Sequence, residues 1–203
     1  MTTWLKSLFG AKATHPAITI VSGLPRSGTS MMMRMLEAGG LPPITDNLRT
    51  ADLDNPQGYY EFERVKQLDR GDTAWLATAQ NRAVKVISAL LQHLPANYTY
   101  KVIFIERHMS EILASQRKML AHRQEDSEDL TDAEMTALFE KHLREIHQWL
   151  AQQPNFRVLY IHYSDLLSEP AAHATQVNQF LGGGLDANKM ASVIDPTLYR
   201  NRV

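Results

Sequence analysis

Ala17-Ile18-Thr19-Ile20-Val21-Ser22-Gly23-Leu24-Pro25-Arg26-Ser27-Gly28-Thr29-Ser30 is a β-rich run feeding a glycine-bounded loop. The apolar residues predict a buried strand. Behind the loop, Met31 to Glu37 predicts a helix, stopped by Gly39-Gly40 and Pro42-Pro43. Gly23 and Gly28 keep the G-x-x-x-x-G spacing of a phosphate-binding loop, with a hydroxyl residue trailing it. Such a loop aims successive backbone N–H groups at an anion on a helix N-terminus, where the helix dipole also favours negative charge. The lysine that would follow Gly28 is Thr29, and the nearest cation is Arg26, inside the loop. Without that lysine the point charge on the β- and γ-phosphates is lost, which weakens an ATPase or GTPase reading. An ordinary glycine turn is the plainer alternative. Strand, spacing, cation and hydroxyls together favour the phosphate loop.

Working outward, Ile44 to Gly58 is polar and turn-rich, and a helix is expected from about Glu61 to Gln80. Ala83 to Ile87 predicts a short second strand and Val102 to Ile105 a third, the latter with the near-continuous apolar character of strands covered on two faces. Ile112, Leu113, Met119 and Leu120 share a helix face, and Glu125 to Asp129 reads as a solvated loop. Thr131 to Glu134 is a capping box opening a helix to about Gln153, and Arg157 to Ile161 is a fourth strand. Two helices flank Gly182-Gly183-Gly184. Strands alternating with helices predict an α/β fold: a P-loop-like three-layer arrangement with a central parallel sheet flanked by helices.

The chain has 203 residues and no linker-like stretch, so residues 1–203 read as one domain, with residues 1–15 as an N-terminal extension. Within that extension Trp4, Leu5, Leu8 and Phe9 lie beside Lys6 and Lys12. They form either a membrane-skimming turn or, in the plainer reading, a cluster folded back on the domain. Twenty-one Lys and Arg against 22 Asp and Glu leave a net charge of -1, which argues against a nucleic-acid partner. The absence of cysteine excludes disulfides, thiolate metal sites and cysteine nucleophiles. No apolar run reaches the roughly 18 residues of a transmembrane segment. The N-terminus lacks an A-x-A-like cleavage site, so a cytoplasmic location is the expectation.

Pro25-Arg26-Ser27-Gly28-Thr29-Ser30 resembles the 5′-phosphosulfate loop of sulfotransferases that use 3′-phosphoadenosine 5′-phosphosulfate (PAPS). It is closest to the P-R-S-G-T-[ST] form of tyrosylprotein and bacterial carbohydrate-type enzymes. Three further segments carry the resemblance. Phe104-Ile105-Glu106-Arg107, with Ser115 eight residues on, is similar to the arginine–serine pair that holds the cofactor's 3′-phosphate in that family. A guanidinium fork and a hydroxyl suit three phosphate oxygens. Tyr160-Ile161-His162-Tyr163-Ser164-Asp165-Leu166, with Phe180-Leu181-Gly182 downstream, resembles the Y-E-D-L and F-L-G segments. That likeness implies Tyr163 near the adenine ring, the alternative being a core tyrosine. Val84-Lys85-Val86-Ile87 with Leu94-Pro95 is similar to the V-K-T-H strand of cytosolic enzymes, which puts Lys85 on their catalytic lysine. Their histidine base falls on Ile87, which takes no proton, so that mechanism does not carry over.

The resemblance therefore implies a carboxylate base. Asp46, with Arg49 three residues on, stands where tyrosylprotein enzymes carry a glutamate and an arginine. Glu61 closes Asn55-Pro56-Gln57-Gly58-Tyr59-Tyr60-Glu61, similar to the N-P-x-G-Y-x-E segment of bacterial members. Glu61 is preferred, Asp46 stays open, and Glu63 is the outsider. The implied assignment gives Arg26, Ser27, Gly28, Thr29 and Ser30 to the phosphosulfate and Arg107, Ser115 and Tyr163 to the rest of the nucleotide. Lys85 and Arg26 assist the leaving oxygen, and Glu61 or Asp46 deprotonates a small-molecule, carbohydrate or peptide acceptor at a hydroxyl or amine. Protein cations fill the role of a magnesium ion, so no metal is required. His142 and His147 are five apart and do not share a helix face as metal ligands would. His108 adjoins Arg107, and Arg200 or Arg202 could reach the cofactor phosphates. Two competing readings remain: an ATP-dependent small-molecule kinase with an atypical loop, and a non-catalytic nucleotide-binding protein.

Overall fold

The computed structural model describes residues 17–46, 48, 58–123 and 130–194. Four strands, β1 (Ile18–Gly23), β2 (Ala83–Lys85), β3 (Tyr100–Glu106) and β4 (Phe156–His162), form one sheet in the order β2-β1-β3-β4. All three pairings are parallel. Helices α1 (Thr29–Ala38), α2 (Met109–Arg123), α3 (Asp132–Ala151), α4 (Tyr163–Ser168), α5 (Pro170–Leu181) and α6 (Ala187–Ser192) connect and flank the strands.

Alternation along the strands divides the core into two. Ile18, Ile20, Val84, Val86, Val102 and Phe104 face one side, where Ile146 and Leu150 of α3 cover them together with Trp75 and Leu76. Val21, Ala83, Ile103, Ile105 and Ile161 face the other, packed against Met32, Met33, Met35 and Leu36 of α1, Ala174 and Val177 of α5 and Met190 of α6. Every residue of β1 is buried. This is why its sequence is almost uninterruptedly apolar: neither face is left to water. β4 is an edge strand, and Arg157 and Tyr160 on it are exposed.

The capping box at Thr131 is present, with reciprocal bonds between Thr131 and Glu134. The helix expected from Glu61 to Gln80 is not. Two 3-10 segments, Glu63–Arg70 and Ala74–Thr78, take its place, separated by Gly71 in the left-handed region at φ 86°. Val65 and Leu68, three apart, are the buried pair of the first segment, a spacing that eclipses on a 3-10 turn. Gly71 caps the first segment; across the break Arg64 grips Asp72 through two hydrogen bonds, and the Trp75 indole N–H donates to the Asp72 carbonyl. The second strand is also shorter than expected. Val86 N–H still donates to the Val21 carbonyl, but Ile87 then leaves the sheet into a 3-10 turn at Ser88–His93.

The chain enters at β1 in the middle of the sheet, moves out to β2, then crosses back to β3 on the other side of β1. The reversal opens a crevice beyond the C-terminal ends of β1 and β3. In open parallel sheets ligands bind at such a switch point.

Candidate active site

The loop after β1 and the turn after β3 meet in that crevice. Both glycines of the loop are demanded by close approach. A Cβ on Gly23 would lie 2.5 Å from the Ile105 carbonyl oxygen, and one on Gly28 would lie 2.4 Å from Cδ2 of Tyr163. Gly28, at φ 108°, is also the N-cap of α1, with no side-chain cap and no acidic residue in the first turn. The positive end of α1 is therefore not offset by a local carboxylate.

Arg26 adopts φ 70°, rare for a side chain of its size. Its strain is held from two sides. Arg26 Nε donates to Ser115 Oγ at 2.9 Å, and Arg107 Nη1 donates to the Arg26 carbonyl at 3.0 Å. Arg107 in turn gives Nε to Glu111 Oε2 at 2.7 Å and lays its guanidinium 4.3 Å from the centre of the Tyr163 ring. Arg26, Arg107, Ser115 and Tyr163, far apart in sequence, thus form one connected set. Tyr163 is 5% exposed, and burial pushes its phenol up against the opposing pull of Arg107. Its ring underlies Gly28 and Arg107. Ser27 Oγ is buried in the loop with no hydrogen-bond partner among the described residues. An orphaned hydroxyl, two guanidinium groups and an open helix N-terminus are a donor set suited to a multiply charged anion.

On the other flank of the loop, Lys85 at the end of β2 is largely buried, its Nζ 3.4 Å from Ser30 Oγ and 3.8 Å from Glu61 Oε1. It also donates to the Tyr59 carbonyl. Lys85 is therefore turned into the crevice rather than placed as a charge on the sheet edge. Tyr60, at φ 52°, reverses the backbone so that the Tyr59 carbonyl and the Glu61 carboxylate converge on this lysine, and its hydroxyl donates to Glu37 of α1. Glu61 lies 3.9 Å from Lys66 as well.

Asp46 is held differently. Its Oδ2 accepts from the Glu63 N–H at 2.6 Å and its Oδ1 from the Leu48 N–H at 3.1 Å, so it starts the first 3-10 segment. Glu63 pairs with Lys66 at the surface. Arg49, Asn55 to Gln57, Arg200, Arg202, the N-terminal cluster and the acidic stretch at Glu125 lie outside the described residues.

Two features were not anticipated from sequence. Glu111, 1% exposed, faces Arg107; the signal available was its i+4 spacing within the α2 segment. His142 of α3 bonds through Nε2 to Ser88 Oγ at 2.8 Å, one residue past Ile87. Burial holds this imidazole below its ordinary range. Among the described residues no group of three or more His, Asp or Glu is placed to hold a metal ion, and no helix is long and apolar enough to cross a membrane.

A cleft of about 140 Å³ lies against the loop, lined by Leu24, Ser27, Glu106, Arg107, Leu143 and His162 among others. Comparison with known proteins agrees with this architecture. The family model for the sulfotransferase domain matches residues 16–201. Among solved structures, a sulfotransferase of Mycobacterium tuberculosis H37Rv superposes with a TM-score of 0.59 at 18% identity, over 91% of this chain and 75% of that one. A mouse sulfotransferase complexed with PAP gives 0.54 at 20% identity, over 92% and 65%. The sulfotransferase domain from the curacin biosynthetic pathway gives 0.52 at 17% identity, over 92% and 87%. A search of curated proteins gave no significant match. At these identities the structures speak for the fold; the domain match, running almost the whole chain, places this protein in the sulfotransferase family.

Proposed function

We propose that the protein transfers a sulfuryl group from PAPS to a hydroxyl or amine acceptor, with Glu61 as the general base. The donor, when bound, supplies an activated sulfuryl group on a phosphate leaving group. The backbone N–H groups of Ser27 to Ser30, the orphaned Ser27 hydroxyl and Arg26 would hold its 5′-phosphosulfate at the N-terminus of α1. Arg107 and Ser115 would take the 3′-phosphate, and Tyr163 supports both by packing under Gly28 and Arg107. Lys85 stands between the loop and Glu61. From there it can stabilise charge on the leaving oxygen while keeping the Glu61 carboxylate aimed into the crevice. Glu61 takes the acceptor's proton. Asp46 serves as a cap, because both its oxygens already accept backbone N–H groups.

The observation that carries this reading is the convergence of Arg26, Arg107 and Ser115 on one side of the loop with Lys85 and Glu61 on the other. Positioning and charge stabilisation then dominate catalysis. The test is an acceptor screen by mass spectrometry in the presence of PAPS, with Glu61→Gln as the control. Gain of one SO₃ unit matched by release of 3′-phosphoadenosine 5′-phosphate (PAP), and lost in the variant, is the expected result. Modification that requires ATP and magnesium instead would establish the kinase reading.

A further inference from the structure

We propose that Glu111 is a positioning residue that sets Arg107 in place to read the nucleotide's 3′-phosphate. The proposal rests on the donor reading above. The guanidinium of Arg107 is constrained in three directions at once. Glu111 Oε2 takes its Nε, the Arg26 carbonyl takes its Nη1, and the Tyr163 ring lies against its face. The first two contacts fix the fork within its plane and the third fixes the plane itself. Among these three contacts the one to Glu111 is made by a carboxylate, and that residue is deeply buried, with a side chain 2% exposed beside an arginine 8% exposed. A carboxylate is costly to bury alone, so the two residues are kept in the protein interior as a pair.

The consequence concerns specificity. An arginine that must be ordered when ligand arrives gives up part of its binding energy to rotamer entropy, whereas one already ordered does not. Glu111 also reaches Arg107 from the first turn of α2, the same helix that presents Ser115 to Arg26. One helix therefore sets both arginines of the site. Two cations facing one carboxylate leave the cluster net positive, so the counter-charge orients Arg107 without cancelling the attraction for a phosphate.

The test is calorimetric binding of PAP and of adenosine 5′-monophosphate (AMP), which lacks only the 3′-phosphate, to the wild type, Glu111→Met and Glu111→Gln. The methionine fills the volume but accepts no hydrogen bond. It is expected to weaken PAP about tenfold while AMP stays within about twofold. The glutamine, whose carbonyl oxygen can still accept from Nε, is expected to restore most of the PAP preference. In an Arg107→Ala background, Glu111→Met is expected to leave the PAP-to-AMP ratio unchanged, because its effect passes through the arginine. A Met variant that keeps the wild-type ratio, or loses PAP and AMP in equal proportion, overturns the proposal. Should thermal melts show that variant unfolded, Glu111→Asp decides: the shorter arm withdraws the oxygen, and an unchanged ratio overturns the proposal. A wild type that binds PAP no tighter than AMP overturns the donor reading and this inference with it. A wild-type preference that survives every Glu111 variant overturns only the role of Glu111.

Discussion

Asp46 and Glu61 belong to neighbouring backbone, joined where the Asp46 N–H donates to the Glu61 carbonyl, yet their carboxylates do different work. Asp46 caps a 3-10 segment; Glu61 faces Lys85. Asp46→Ala is therefore expected to cost about 1–2 kcal/mol of stability, the usual loss for a helix cap, read as a lower midpoint in urea unfolding. Glu61→Gln is expected to leave the midpoint nearly unchanged while lowering kcat about a hundred- to ten-thousand-fold, read by initial rates once an acceptor is in hand. A reversed pattern would move the base assignment to Asp46. At Gly28 the argument is steric. The φ of 108° and a Cβ position 2.4 Å from the buried Tyr163 ring leave alanine no room. Gly28→Ala is expected to destabilise the protein by about 1–3 kcal/mol in the same assay.

At the scale of elements, α3 ties the 3-10 turn after β2 to the sheet through the His142–Ser88 bond. Burial is the main cause that holds the His142 imidazole below its ordinary value, with Glu145 pulling the other way and His147 adding to the depression. The unfolded chain then binds this proton more readily than the folded one. His142 accordingly favours the fold above about pH 6.5, and that contribution is lost as pH falls through its lower folded value. Acidification from about pH 7.5 to about pH 5.5 is expected to lower the melting temperature more in the wild type than in His142→Gln; equal drops would contradict the assignment. Elements also divide into those the sequence announces and those it does not. β1, β3 and α3 are plain because continuous apolar runs and a capping box are local signals. The 63–78 region is not. Its apolar residues sit three and seven apart, compatible with an α-helix, and the first segment ends at Gly71, a left-handed cap, with Arg64 reaching Asp72 across the break, a pairing that no periodicity records. Arg26, Arg107 and Ser115 were singled out through the resemblance to the family's segments, and the structure brings them together. Glu111 was not singled out, because an acidic residue in a helix first turn is so ordinary.

For the whole molecule, the strand order places the loop after β1 and the turn after β3 side by side. β1 and β3 are neighbours, so the loop after one and the arginine after the other share one crevice, with β2 delivering Lys85 from the far side of β1. The same order would serve a kinase, and what separates the two is the ligand. A phosphate on the ribose 3′ position calls for a second cationic subsite, which Arg107 with Ser115 would supply under the proposed function, whereas ATP calls for a loop lysine, and Thr29 stands in its place. The central claim is tested most directly by calorimetric titration of PAP and of ATP with magnesium into the wild type and Arg107→Ala. The account predicts that PAP binds more tightly than ATP and loses at least about tenfold in the variant, as expected when a charge-assisted bidentate contact is removed. ATP binding as tightly as PAP, with both indifferent to the substitution, would contradict it.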